Sequence, residues 1–209
     1  MPRREASGDR ETFQQRRERR AAIKDPEVVM NAAARFLELR SRSVQEVRRH
    51  LIQAGYREEL VEQIVARLSD MGILNDDAFA RMWVESRDRA RPRSEQALRR
   101  ELTLKGIDRE LAAEVLDARR HGGFDAATAQ GEDAPANPDM AAAMRLLAKR
   151  RGALLRIADD RERRGRAYGL LARNGFDPEV CREATMRFLA SEAGGDADDA
   201  GESPADTEP

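Results

Sequence analysis

Arg40-Ser41-Arg42-Ser43-Val44-Gln45-Glu46-Val47-Arg48-Arg49-His50-Leu51 is followed by Gly55-Tyr56. Arg91-Pro92-Arg93-Ser94-Glu95-Gln96-Ala97-Leu98-Arg99-Arg100-Glu101-Leu102 is followed, in the same register, by Gly106-Ile107. A phrase that recurs after about 50 residues marks stacked, similar supersecondary units. In each copy a serine precedes a short apolar stripe at helical spacing, and a glycine ends it. Ser43 with Glu46 forms a capping box, and Gly55 supplies the left-handed residue that stops a helix.

Each phrase becomes the middle of three helices. Asp25-Pro26-Glu27 starts a helix before the first phrase: a cap, a proline suited to the first turn, and an acid favoured by the helix dipole. Val29, Ala33, Phe36 and Leu37 follow at helical spacing. After Gly55 a third helix carries Leu60, Val61, Ile64, Val65 and Leu68 and ends at Gly72. In the second unit Asn75 or Asp76 caps a helix with Phe79, Met82 and Trp83 on one side. Arg91-Pro92 closes it, since the residue before proline avoids the helical region. Asp108 caps the last helix, which carries Leu111, Ala112, Val115 and Leu116.

A third copy is weaker. Gly175-Phe176 matches the two glycine turns, Leu171 matches Leu51 and Leu102, and Asp177-Pro178-Glu179 starts a helix. Met140 to about Ile157 reads as that unit's first helix. Strand signals are absent. The expected fold is all-α: nine helices in three tandem three-helix repeats, forming an elongated curved body with disordered termini. The expected boundaries are a disordered basic extension over 1–24 and repeats over 25–74, 75–118 and 139–190. A flexible Gly-, Pro- and Ala-rich linker over 119–138 precedes the third repeat, and a disordered acidic tail covers 191–209.

Charged residues make up 37% of the chain and aromatics 4%, with a net charge of −1. That suits thin helical layers with solvated faces. The near-neutral total hides an uneven distribution: the 191–209 segment has seven acids and no base, whereas 140–190 holds twelve bases against six acids. Nothing reads as a membrane span or a secretory signal. One cysteine, Cys181, cannot form an intramolecular disulfide, which fits a reducing cytoplasm. It falls where Val61 and Ala112 do, as a small buried residue.

No catalytic, cofactor or metal constellation is expected. The two histidines, His50 and His121, lie in different units. Asp76-Asp77 and Asp159-Asp160 sit at helix ends, where acids cap. Phe79 and Trp83, four apart, suit a core better than a base-stacking platform. The paired arginines carry the functional reading. Adjacent helical residues lie about 100° apart, so Arg48 and Arg49 flank the Val47/Leu51 stripe, and Arg99 and Arg100 flank Leu98 and Leu102. With Arg40, Arg42, Arg91 and Arg93 they form a repeated basic strip suited to phosphates or acidic side chains. The same residues also suit a solvated face with intrahelical pairs, Glu46 to His50 and Glu95 to Arg99.

The order Asn75-Asp76-Asp77-Ala78-Phe79-Ala80-Arg81-Met82-Trp83, then Arg93-Ser94, Leu98-Arg99-Arg100-Glu101-Leu102 and Lys105-Gly106-Ile107 resembles the RecX family of bacterial regulators of the RecA recombinase. The resemblance covers about residues 32–190 apart from the insertion. It implies an all-helical, non-enzymatic regulator of DNA repair and recombination, acting in the cytoplasm. Its partner would be the RecA filament on single-stranded DNA, bound along the groove, with filament growth, ATP hydrolysis and strand exchange inhibited. The contact residues expected on this chain are Arg40, Arg42, Arg48, Arg49, Arg91, Arg93, Arg99, Arg100 and Lys105. In the third repeat Tyr168-Gly169 replaces the Arg pair, and Arg163, Arg164 and Arg166 keep the basic character. Weak direct contact with DNA phosphates and a monomeric free state are also expected. Two other readings stay open: a helix-turn-helix DNA-binding regulator, and a helical adaptor for another protein.

Overall fold

In the computed structural model, residues 12–121 and 137–198 are described. Among them there are eleven helices and no strand. The first, α1 (Phe13–Ala21), precedes the repeats. Repeat one comprises α2 (Pro26–Glu38), α3 (Val44–Ala54) and α4 (Glu58–Asp70). Repeat two comprises α5 (Asp76–Ala90), α6 (Glu95–Leu104) and α7 (Arg109–Arg120). Repeat three comprises α8 (Pro138–Ala148), the short α9 (Arg151–Leu155), α10 (Asp160–Arg173) and α11 (Pro178–Asp198).

The chain divides into two compact units that cut across repeat two. The first holds residues up to Phe79 together with Leu104–Ile107. Its core is Val29 and Ala33 from α2, Val47 and Leu51 from α3, and Val61, Ile64, Val65 and Leu68 from α4. The second unit holds Ala80–Thr103 and the chain from Asp108 onward. There Leu146 and Leu147, Ala167 and Leu171, and Cys181, Ala184 and Phe188 build the core of repeat three. Each buried Val or Leu side chain contributes roughly 1.5–3 kcal/mol of hydrophobic stabilisation.

Within the first unit, repeat one is tied to the start and turn of repeat two. The Ser43 hydroxyl accepts from Glu46 N–H at 3.1 Å and donates to the Lys105 carbonyl at 2.6 Å. Asp76 accepts from Val44 N–H at 2.9 Å, satisfying a donor that the helix cannot pair itself. Gly106 (φ +79°) lies so close to α3 that a Cβ there would sit 2.3 Å from Cβ of Gln45.

Within the second unit the same device ties repeat two to repeat three. Ser94 accepts from Ala97 N–H and donates to the Gly175 carbonyl at 2.6 Å. Asp139 accepts from Glu95 N–H at 2.9 Å. A Cβ on Gly175 would sit 2.9 Å from Cβ of Ala97. The serine of each phrase therefore does two jobs: it caps its own helix and holds the glycine turn of the next repeat.

Several expectations change. Residues 13–21 are not disordered but form α1, started by a Thr12/Gln15 capping box. Its backbone rests on Gly55, where a Cβ would come within 2.8 Å of Arg17 Cα. Arg20 donates to the Ala54 carbonyl at 3.1 Å and lies over the Tyr56 ring. No apolar stripe announces this helix, because caps and arginine hold it. The expected linker starts later, since Arg119 and Arg120 belong to α7. It also ends earlier, where Asn137 caps α8; residues 122–136 lie outside the described part. The single helix expected from Met140 to Ile157 is broken at Lys149-Arg150. Cations suit a helix C-terminus, and Gly152 weakens continuation. α11 runs through Ser191 to Asp198, into the expected tail. Near its start there, Arg151 pairs with Glu192 at 2.6 Å; residues 1–11 and 199–209 lie outside the described part.

Phe79 is buried, but Trp83 is half-buried and Met82 exposed. The indole N–H donates to Glu101 at 2.9 Å, and Arg87 lies over the ring. Ala80 and Val84 take the inward places on α5 instead. Asn75 caps α5 through Ala78 N–H, which leaves Asp76 for α3. Cys181 is fully buried, as are its counterparts Val61 and Ala112.

Candidate functional site

The phrase arginines fall into two groups once their partners are known. On α3, Arg48 makes a fork with Glu62 of α4, at 2.6 and 2.7 Å, and also reaches Gln45. That fork raises the Arg48 pKa and holds the Glu62 carboxyl below its ordinary range. Its neighbour Arg49 is exposed and enters no ion pair among the described residues. On α6 the pattern repeats: Arg99 pairs with Glu95 at 2.9 Å, while Arg100 is exposed and likewise unpaired. One arginine of each pair is thus fixed inside its own repeat, and the other is presented to solvent. The 100° step between neighbours on a helix produces this division.

Of the four arginines before the two serines, Arg40, Arg42 and Arg93 are held by their own repeats. Arg40 pairs with Glu46 at 3.1 Å, and Lys105 reaches the same carboxylate at 2.7 Å. Burial alone would raise the Glu46 pKa, but the bonds from Lys105 and Arg40 outweigh it and lower it. Glu46 is thereby occupied, and His50 stacks on Phe36 instead of pairing with it, at 3.8 Å between ring centroids. Arg42 lies over the same Phe36 ring at 4.0 Å. In repeat two the matching residues are Arg87, Glu101 and Arg93. Arg87 pairs with Glu101 at 2.6 Å and Arg93 approaches the same carboxylate at 3.5 Å. An aromatic stack in one repeat is replaced by an ion-pair cluster in the other, at the same positions. Arg91 is exposed.

In repeat three the three expected arginines sit at the start of α10. Arg163 donates to the Ile157 carbonyl at 2.8 and 2.9 Å and pairs with Asp160. Arg164 is exposed and bonds the Asp160 carbonyl. Arg166 pairs with Glu162 at 3.3 Å. These contacts are largely solvent-exposed and contribute roughly 0–1 kcal/mol each. Tyr168 and Gly169 hold the places of the Arg pair, so no counterpart of Arg49 and Arg100 stands there.

Arg119 is not among the residues expected from the sequence. It is 6% exposed and forks onto Asp88 at two distances of 2.9 Å. It also reaches Asp139 and the Arg93 carbonyl, both at 3.3 Å. Burial opposes its charge, but Asp88 and Asp139 outweigh it and raise its pKa. Its counterpart in repeat one is Leu68, so comparing the aligned repeats was the signal that marked the position as inward-facing.

Fold and surface together define a helical repeat protein whose first two middle helices each present, at a matched position, one arginine unpaired among the described residues. Three family models match in tandem: the first RecX three-helix domain at residues 30–68, the second at 75–116 and the third at 138–185. The chain belongs to the RecX family. The regulatory protein RecX of Mycobacterium avium is 31% identical over 158 residues, covering 76% of this chain and 83% of that one. That of Prosthecochloris aestuarii is 28% identical, covering 80% and 97%. The crystal structure of RecX from Lactobacillus salivarius shares the fold, with a TM-score of 0.55 at 18% identity over 79% of this chain and 97% of that one. These relatives are named as regulatory proteins rather than as enzymes. No helix among the described residues is long and apolar enough to cross a membrane.

Proposed function

We propose that this chain is a non-enzymatic, cytoplasmic regulator that binds the RecA–DNA filament and inhibits its growth, ATP hydrolysis and strand exchange. The observation that carries the reading is the matched exposure of Arg49 and Arg100, beside Arg48 and Arg99 that are tied down. A filament repeats its own surface, so a partner that repeats one contact engages several sites at once, and linked weak contacts add up to high avidity. Arginine suits either side of such a filament, since its planar fork matches both carboxylate and phosphate. Arg91 and Arg164 are exposed and extend the same basic character, while the paired arginines of the expected set shape the surface. Free in solution the chain is monomeric.

A helix-turn-helix reader of duplex DNA fits less well. The helices that follow the glycine turns start with exposed acids: Glu58 and Glu59 on α4, Glu110 on α7 and Glu179 on α11. Those acids suit the helix dipole and repel phosphate at the end a recognition helix would insert. The test adds the protein to RecA filaments on single-stranded DNA and follows ATP hydrolysis and strand exchange. Inhibition at or below stoichiometric amounts is expected. No effect there contradicts the proposal, and tight sequence-specific duplex binding at moderate salt favours the helix-turn-helix reading.

A further inference from the structure

α1 lies outside the residues matched to the three-helix domains and adds a feature to repeat one. Between α1 and the C-terminal half of α3 there is an open cleft of about 560 Å³. Phe13, Arg17 and Arg20 line it from α1, and His50 and Gln53 from α3. The three α1 residues are spaced four and three apart, so they share one face of the helix. A helix that served only to cover repeat one would turn an apolar face inward. This one turns a phenyl ring and two guanidinium groups toward the cleft, and no carboxylate among the described residues lines it.

Each group is held differently. The close approach at Gly55 fixes the backbone of Arg17, whose side chain is exposed. Arg20 is engaged with the Ala54 carbonyl and the Tyr56 ring. Phe13 is 67% exposed, an unusual place for one of the chain's few aromatics. His50 has one ring face on Phe36 and is otherwise exposed. Burial, with Arg42 and Arg20 nearby, pushes the imidazole pKa down, which favours the neutral ring. On α3, Arg49 is one helical turn from Ile52 and Gln53, so basic charge continues past the cleft.

We infer that this cleft binds a segment of single-stranded nucleic acid, with Arg17 on a phosphate and Phe13 and His50 offering ring faces to a base. Basic side chains interleaved with aromatic faces are the chemistry that grips single strands without reading sequence. The open shape admits a continuous chain, and the lining has the complementary charge. The inference is independent of the RecA reading, because it concerns a contact this chain makes alone.

The experiment measures binding of a fluorescently labelled oligothymidylate to the full chain, without recombinase, as a function of salt. Phe13→Ala is expected to weaken binding about tenfold, since stacking on one aromatic contributes that much or more, and Phe13→Trp to restore it. Arg17→Ala is expected to reduce the slope of log affinity against log salt by about 0.7, the value for one phosphate on a single strand. Arg16→Ala removes the same charge outside the cleft and is expected to change the slope less. Circular dichroism of each variant checks that helicity is kept. The inference is overturned if the wild-type chain does not bind the oligomer, or if Arg16→Ala and Arg17→Ala act equally while Phe13→Ala changes nothing. It is also overturned if thymidine monophosphate competes as well as the oligomer, which would make the cleft a free-nucleotide site.

Discussion

The tie between repeats one and two, within the first unit, and the tie between repeats two and three, within the second, use the same parts. Each has a serine that caps its helix and holds the next turn, an aspartate that takes the first N–H of the middle helix, and a glycine that permits close approach. They differ in the residues beside them. Repeat one has Leu68, buried, with Leu37 packed against the same core. The matching positions of repeat two hold Arg119 and Asp88, joined by a buried fork. One fold position thus has an apolar solution and an ionic one in the same chain. Apolar burial is tolerant and ion pairing is directional, so the ionic version fixes Asp139 as well, the residue that caps α6.

The largest test of this difference is Arg119→Ala. Removing Arg119 leaves Asp88 with only the longer pair to Arg145 at 3.5 Å and Asp139 with the Glu95 N–H, and a loss of about 3 kcal/mol, the low end for a broken buried pair, is expected in denaturant unfolding. Replacing Arg119 and Asp88 together by Leu copies repeat one, and is expected to cost much less than either single change. A loss for the double variant equal to the sum of the two single losses would show that the two positions do not act as a pair. Next in size, Gly106→Ala combines a left-handed backbone with a collision at Gln45, and is expected to cost about 2–4 kcal/mol. Gly72 also has positive φ, but its Cβ position is open; Gly72→Ala is expected to cost only about 1–2 kcal/mol. The same unfolding series checks both.

Smaller effects follow from the shared parts. Ser43→Ala and Ser94→Ala are each expected to cost about 1–2 kcal/mol, the upper range for a lost cap, and to do so equally. The smallest is a pH effect. The bonds from Arg48 depress Glu62; those from Arg120 and Arg99 depress Glu95 against burial; burial also opposes Lys105 and Arg40 at Glu46 but loses to them. A carboxyl with a depressed folded pKa stabilises above its ordinary value of 4.5 and loses that contribution as pH falls through the folded value. Burial raises Asp76 and Asp139 instead, so their ionisation weighs against the fold as pH rises past 3.8. Thermal melts are expected to fall below pH 4.5, and the triple Glu46→Gln, Glu62→Gln, Glu95→Gln variant to flatten that decline.

Where the sequence carried redundant local signals, the fold was legible. Asp25-Pro26, Ser43 with Glu46, Asp108 and Asp177-Pro178 each joined a cap to an apolar stripe, and each starts a helix at that place. The glycine turns at 55, 106 and 175 all have positive φ. α1 was not legible, because its anchor is an arginine reaching a carbonyl 34 residues away. The surface was half legible. Periodicity placed Arg48 and Arg49 beside the stripe, but only tertiary contact with Glu62 on the next helix distinguishes the tied arginine from the presented one. Arg119 was hidden for a related reason: a charge at the boundary of a linker reads as solvent-exposed until its two carboxylates are brought to it.

On the proposed function, the presented arginines rather than the tied ones grip the filament. Titrating labelled RecA filaments with Arg49→Ala/Arg100→Ala and with Arg48→Ala/Arg99→Ala, under one salt condition, tests it directly. The first pair is expected to weaken binding by about tenfold, near 1.4 kcal/mol in total, with the melting temperature unchanged. The second pair is predicted to lower the melting temperature and leave affinity within about twofold of wild type, as expected for partly exposed pairs. Unchanged affinity for Arg49→Ala/Arg100→Ala, or an equal loss for both pairs, would contradict it.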